Sequence, residues 1–411
     1  MKIKFHPSKF SATFLEKKEK ITLYLKKLQK ILSEKNYKVP ESFLLLPEEK
    51  FSFENFGNFY LILLCGIGGS SLGAEAIFNA LKRKKRLKEI LFFDSFNPLF
   101  QKEAISKIKK IPKGKSALFF VSKSGKTLES VVNFFTIFKL IKKYQPKIFV
   151  ISSYNSPLWS FGKKNKFFTF SIPEKIEGRY SVFSLAGLLP LFLSGVNIDK
   201  LILGAREANK LCLLENLFKN PALYSSYFIF FHYKKGKRIY ANLVFPPDLE
   251  FFGKWYIQLM GESLGKEGKG IMPAVFSGTE DFHSIFQLFF DGPKDKLINF
   301  VFVEDLKTDF QIPNLKDLNQ IFKNVENKKM WQLNKIIFEG VKRAYQKKRL
   351  PFSETIIEKL DEENLGFLFQ MKMIEILFLA KLIGVNPFGQ PAVELYKRET
   401  KRILEKENGS I

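Results

Sequence analysis

The sequence predicts an α/β protein with mainly parallel sheets buried on both faces, and three observations carry that prediction. Short runs of apolar, strand-forming residues recur between Tyr60 and Ser171: YLILLC, EILFFD, ALFFVS, KIFVIS and FFTFS. Each ends in small or polar residues, and stretches of helical pattern long enough for a crossover separate them, the rhythm of βαβ units. The runs are continuously apolar rather than alternating, as strands covered on both faces must be. At 411 residues the chain exceeds one ordinary core, and ~100–200 residues per domain suggests two or three domains.

Taken in order, residues 1–50 read as a helical segment, with Phe14, Ile21, Leu23, Leu25, Leu28 and Ile31 set among lysines and glutamates. Residues 51–200 hold the five strand candidates of a first domain. Its longest apolar tract, Val182 to Val196, is interrupted by Ser184, Gly187 and Pro190. It is shorter than the ~20 residues that span a bilayer, so it reads as a buried helix. Residues 201–385 form a second domain, beginning with the helical Leu201 to Phe231. Its strand candidates are RIYANLVF (Arg238 to Phe245), closed by Pro246-Pro247, and LINFVFVE (Leu297 to Glu304), and its helix Leu365 to Leu382 has a broad apolar face. Residues 386–411 are a C-terminal arm whose charged tail, TKRILEKENGSI, is expected to fray after a last helix.

Composition narrows the function classes. With 45% hydrophobic and 26% charged residues, the chain is a soluble globular protein in which many of the 47 phenylalanines must serve the core. Cys65 and Cys212 are far apart in apolar surroundings, so neither a disulfide framework nor a C-x-x-C pair is written here. The N-terminal MKIKFHPSKF lacks the apolar core of a secretory signal, and a cytoplasmic location is the expectation. The formal charge of +26 is spread over runs such as KRKKRLK (Lys82 to Lys88) and KKIPKGK (Lys109 to Lys115). No zinc finger, RNA-binding sheet signature or basic heptad accompanies them, so they read as solvated surface. A nucleic-acid or membrane partner is disfavoured, while capture of a small dianion would profit from the field.

Two strand ends carry phosphate chemistry. The first is CGIGGSSLG (Cys65 to Gly73), which misses the third glycine of a dinucleotide fingerprint because Ser71 occupies that place. The second is FFVSKSGKTLES (Phe119 to Ser130), whose Gly125-Lys126-Thr127 resembles the end of a nucleotide loop. The glycine that loop needs five residues earlier is Phe120. Neither a nicotinamide cofactor nor a nucleoside triphosphate is therefore expected. Glycines that admit a close backbone approach, hydroxyls and a following helix N-terminus suit a phosphate monoester instead. A tight strand-to-helix turn with no ligand is the competing reading of either loop alone. Two such ends on one sheet can surround a single phosphate.

Four further segments accompany these loops: EGRYSVFSLAGLLPL (Glu177 to Leu191), GKWYIQLMGESLGK (Gly253 to Lys266), GTEDFHSIFQL (Gly278 to Leu288) and NPFGQPAVELYK (Asn386 to Lys397). In order and spacing, over about residues 60 to 400, the chain resembles the phosphoglucose isomerase family. The resemblance implies two sugar-isomerase-type αβα sandwich domains and a homodimer interconverting glucose 6-phosphate and fructose 6-phosphate. It also implies a role for each matching residue. Glu262 would be the base that moves a proton between the first two carbons, and Arg179 would stabilise the charge of the enediol-like intermediate. His283 and Lys397 would open the sugar ring, with His283 donated to the neighbouring subunit. Phosphate contacts would fall to Gly69, Ser70, Ser122, Lys123, Ser124 and Thr127, with Gln390 near the C-terminal segment.

The chain departs from the family pattern at Glu177, where the first glycine of Gly-Gly-Arg is usual. A left-handed backbone there would cost about 1–2 kcal/mol. It departs also at Gly389, Ala392 and Phe282, none of which removes a reacting group. Isomerisation by metal-assisted hydride shift needs clustered ligands, and no H-x-H, H-E-x-x-H or cysteine pair is present. Proton transfer without metal or cofactor is the expected route. Two alternatives remain: a non-catalytic regulator that binds sugar phosphates, and an isomerase that also accepts mannose 6-phosphate, against which the EGRYS segment speaks by analogy.

Overall fold

The computed structural model describes residues 1–6, 17–314 and 316–408; Phe14 and residues 409–411 of the charged tail lie outside them. Among the described residues, ten strands build two five-stranded sheets. The first sheet holds β2 (Leu61–Cys65), β3 (Glu89–Phe93), β4 (Ser116–Val121), β5 (Lys147–Ser153) and β6 (Phe168–Ile172) in the order β3-β2-β4-β5-β6. These are the five apolar runs of the sequence, and all pair in parallel. Their continuous apolarity has the expected cause. Ile62, Leu64, Phe119 and Val121 enter one buried cluster, while Leu61, Leu63, Leu118 and Phe120 enter another on the opposite face. The strand order reverses at β2, which pairs with β3 on one side and β4 on the other. In α/β sheets ligands gather at such a reversal, outside the carboxyl ends of the strands, and both phosphate-type loops begin there, after β2 and β4.

The second sheet runs β1-β10-β9-β7-β8, with β1 (Lys2–His6), β7 (Ile239–Phe245), β8 (Met272–Ser277), β9 (Lys296–Asp305) and β10 (Phe352–Lys359). The predicted strands are β7 and β9; the other three lacked a legible pattern. β8 is a half-exposed edge strand containing Pro273, and Ser353, Glu354 and Thr355 interrupt the apolar pattern of β10 although all three are buried. β1 is the sole antiparallel member, and its His6 Nε2 lies 2.6 Å from Glu354 Oε1. The N-terminal segment is thus helical over Lys18–Ser33 and in the 3-10 turn Pro40–Glu48, but it begins as an edge strand of the second sheet. A five-residue strand owes its place to its partner, not to local propensity.

The helix Glu362–Ile383 is buried along nearly its whole length and packs on the helices Ile198–Cys212 and Pro221–Lys234. Backbones meet at two glycines: a Cβ on Gly204 would sit 1.8 Å from the carbonyl oxygen of Glu363, and one on Gly366 1.9 Å from that of Leu201. The basic run Lys82 to Lys88 has a structural task. Arg83 Nε lies 3.5 Å from Asp248 Oδ1, and Lys85 pairs with the buried Glu362, whose Oε1 also accepts from the Asn197 amide at 3.1 Å. Part of the large positive charge therefore joins the halves of the chain. Cys65 and Cys212 are free and fully buried, and burial pushes both thiols up. Among the described residues no helix is long and apolar enough to cross a membrane.

Candidate active site

After β2 the backbone turns through Gly68–Ser70 into the helix Leu72–Leu81. Gly68 has φ +56, a left-handed conformation that favours glycine, and Gln258 lies directly across from it. Gly69 is required for a different reason. A Cβ there would lie 2.1 Å from the carbonyl carbon of Gly178 and 2.6 Å from the amide nitrogen of Arg179. The two turns therefore touch backbone to backbone, and the Ser181 hydroxyl donates to the Gly69 carbonyl at 3.2 Å.

The second loop leaves β4 at Ser122, whose Oγ accepts from the Gly125 amide at 3.2 Å and faces the Thr127 hydroxyl at 3.3 Å. Gly125 is left-handed at φ +66, and Ser124 Oγ accepts from the Lys126 amide at 3.2 Å. Ser152 on β5 donates to the Ser122 carbonyl at 2.6 Å and so anchors the loop from below. The helix Leu128–Ile141 follows at once, and no side chain caps its first amides. Lys123 is half-buried. Burial lowers the pKa of its ammonium, against the opposing charges of Glu177 and Glu174.

Between the halves lies an arginine-centred network. Arg179 is 1% exposed, and each edge of its guanidinium is occupied. Nε donates to Ser263 Oγ at 3.0 Å, and Nη1 to Glu262 Oε2 at 3.0 Å and Gln390 Oε1 at 2.6 Å. Nη2 donates to the Pro387 carbonyl at 2.7 Å. Glu262 stands in the last turn of the helix Glu250–Leu264, and its other oxygen accepts from Gln258, one turn earlier, at 3.0 Å. Tyr180 Oη lies 2.9 Å from Ser263 Oγ, and burial pushes the phenol up to about 12 against the pull of Arg179. Lys266 donates to the carbonyls of Asn386 at 2.6 Å and Phe388 at 2.7 Å, tying down the segment that carries Gln390. Burial and the charge of Arg179 both lower the pKa of that lysine.

The residues singled out from sequence thus divide into two groups. Arg179, Glu262 and Gln390 form one hydrogen-bonded cluster, and Gly69 touches it through Gly178. Ser70 lies in the same turn, and Ser122, Lys123, Ser124 and Thr127 line the neighbouring loop. His283, by contrast, is exposed on the helix Gly278–Asp291. Lys397 is exposed on the helix Glu394–Asn408, where its ammonium pairs with Glu394 at 2.7 Å. Neither enters the Arg179 network. Glu177, the departure from the glycine pattern, has φ −81 and ψ 153, so the left-handed strain does not arise. Ser263, Gln258, Tyr180 and Lys266 were not foreseen. Gln258 was legible in principle, since a residue four before Glu262 shares its helix face. Ser263 and Lys266 flank Glu262 in the same motif, but their partners come from distant segments.

The network can hold a carboxylate against a buried, permanently charged guanidinium, beside two loops suited to a phosphate. The sequence model of phosphoglucose isomerase matches residues 51–411. The glucose-6-phosphate isomerase of Methanocaldococcus jannaschii is 33% identical over 367 residues, 88% of each chain. That of Clostridium tetani is 32% identical over 365 residues, 84% of this chain and 80% of its own. Among solved structures, a hypothetical protein from Thermus thermophilus superposes with a TM-score of 0.81 at 26% identity, covering 95% of this chain and 96% of its own. A glucose-6-phosphate isomerase from Chlamydia trachomatis, 19% identical, covers 97% of this chain and 75% of its own with a TM-score of 0.71, a likeness of fold. With a family match over most of its length, relatives above 30% identity and an Arg179–Glu262 pair set beside two phosphate-type loops, the chain belongs to the phosphoglucose isomerase family.

Proposed function

We propose that this chain is a glucose-6-phosphate isomerase, interconverting glucose 6-phosphate and fructose 6-phosphate by proton transfer. The observation that carries the reading is the ion pair between Glu262 and the buried Arg179, 3.0 Å long, in a crevice walled by the Gly68–Ser70 turn. The carbonyl moves from C1 to C2 when a base removes the proton at C2 and returns it to C1 through a cis-enediol. Glu262 is that base. Arg179, a fixed cation beside that base, stabilises the negative oxygens through its charge as they develop, and this differential interaction lowers the barrier.

The phosphate sits against the amides and hydroxyls of Gly69, Ser70, Ser122, Ser124 and Thr127, with Lys123 contributing charge and Gln390 reaching the substrate from the arm. His283 and Lys397 open the sugar ring. Their exposure on the single chain favours a homodimer in which His283 completes the site of a second copy. The protein works in the cytoplasm, without a metal or cofactor.

The test is a coupled assay in which fructose 6-phosphate is supplied and glucose 6-phosphate is followed with its dehydrogenase. Wild type should be active, and Glu262→Gln should lose several orders of magnitude while binding a linear sugar-acid phosphate nearly as well. An active Glu262→Gln removes the base assignment. An inactive wild type that still binds the sugar phosphate favours a regulator instead.

A further inference from the structure

The two edges of the Arg179 guanidinium have different company. Nη1 faces Glu262 and Gln390, the groups assigned to chemistry and binding. Nη2 faces the Pro387 carbonyl at 2.7 Å, the Gly389 carbonyl at 3.4 Å and Glu177 Oε2 at 2.5 Å. The last is a charge contact off the N–H axis, since Oε2 takes no aligned hydrogen bond. The other oxygen of Glu177 accepts from the Gly389 amide at 2.5 Å. One carboxylate therefore bridges the buried cation and the Asn386–Gln390 segment, and its extended backbone reaches this position without strain.

We propose that Glu177 is a positioning residue: it holds the Nη2 edge of Arg179 against the C-terminal segment and so presents the Nη1 edge to Glu262 and the substrate. The proposal rests on the role given to Arg179 above. A guanidinium that is 1% exposed needs counter-charge. With Glu177 in place it has two carboxylates, one on each edge. Without Glu177 the base is left as the carboxylate on a buried cation whose other acceptors, at Ser263 and Pro387, are neutral, and the guanidinium is drawn toward Glu262. The fork then no longer points where negative charge develops on the substrate. The Asn386–Gln390 segment, losing its tie at Gly389, is left to the hydrogen bonds from Lys266 and Arg179 and the packing of Phe388 on Tyr180.

An interaction strengthened only in the transition state appears in kcat rather than KM. The full-length wild type, Glu177→Ala and the near-isosteric Glu177→Gln are compared by steady-state kinetics, well below the unfolding temperature of each. For Glu177→Ala we expect kcat to fall about 10- to 100-fold with KM within about threefold, the size of loss that mispositioning of a catalytic group brings. Glu177→Gln, which keeps an acceptor for the Gly389 amide but no charge, should lie between the two. A kcat within twofold of wild type, or a loss carried mainly by KM, overturns the proposal. If Glu177→Ala does not fold, Glu177→Gln decides, with a kcat loss of at least about threefold required. An inactive wild type instead removes the isomerase reading before any variant is compared.

Discussion

Replacing Gly69 by alanine tests the contact on which the geometry of the site depends. The added Cβ would lie 2.1 Å from the Gly178 carbonyl carbon, 2.5 Å from its Cα and 2.6 Å from the Arg179 amide nitrogen. Ordinary contact begins at 3.4 Å, so the turns must separate by about 1.3 Å. Every clashing atom is backbone, and no side-chain rotation relieves it. Whichever turn recoils, the distance between the Gly68–Ser70 turn and the guanidinium changes. A displacement near 1 Å in a positioned group costs about 100-fold in rate, and overpacking of this kind costs about 1–3 kcal/mol of stability. Gly69→Ala should therefore lose roughly two orders of magnitude in kcat/KM in the coupled assay and melt a few degrees lower. Gly340→Ala is the control. Nothing lies within 4 Å of a Cβ there, in the helix Met330–Lys347, and alanine should add about 0.5–1 kcal/mol of stability with activity unchanged. Near-normal activity of Gly69→Ala, within about threefold, would refute the argument that the two turns must touch for Arg179 to work.

Two further predictions concern buried charge. Burial, aided by the charge of Asp94, pushes the Glu75 carboxyl up to about 8 from its ordinary 4.5. The folded chain then holds this proton more tightly than the unfolded one, so the contribution is complete below about pH 4.5 and is lost as pH rises toward 8. Glu75→Gln should flatten the decline of Tm across that window, and melting curves that stay parallel to wild type would contradict the assignment. Lys372 and Glu375 form an ion pair 2.8 Å long at 1% and 0% exposure, and Tyr256 Oη donates to the same glutamate at 2.6 Å. Lys372→Met strands the carboxylate and should cost about 3–5 kcal/mol by denaturant unfolding. Adding Glu375→Gln, which keeps an acceptor for Tyr256, should recover at least half, and failure to recover would mean that packing rather than charge holds this site.

Much of the site was legible because short motifs carry local physics. Gly68 and Gly69 announce a close backbone approach, the hydroxyl-rich Ser122 to Thr127 stretch announces an anion cradle, and Glu262 and Arg179 lie in motifs with a family pattern. The second sheet was only partly legible. β10 carries buried Ser353, Glu354 and Thr355, whose satisfaction depends on partners such as Asn299, His6 and Lys342, so its composition hides its burial. β1 lies in the stretch that reads as a helical segment, and it is a strand instead, because five residues show no period until β10 supplies the ladder. Glu177 looked like a source of backbone strain and is a bridge instead, since its backbone is extended and its carboxylate spans two segments distant in sequence.

The amino-acid order alone determined the alternation of strand and helix, the parallel first sheet and the places where phosphate chemistry could occur, because periodicity, glycine spacing and capping are properties of neighbouring residues. Only the tertiary structure decided that Glu177 and Glu262 share one guanidinium, that Ser263 accepts from its Nε, and that Arg83 and Lys85 reach Asp248 and Glu362. The physical reason is range. A local pattern reports how a segment will fold, whereas the company of a buried charge depends on which distant segments arrive within about 3 Å of it, the reach of a hydrogen bond.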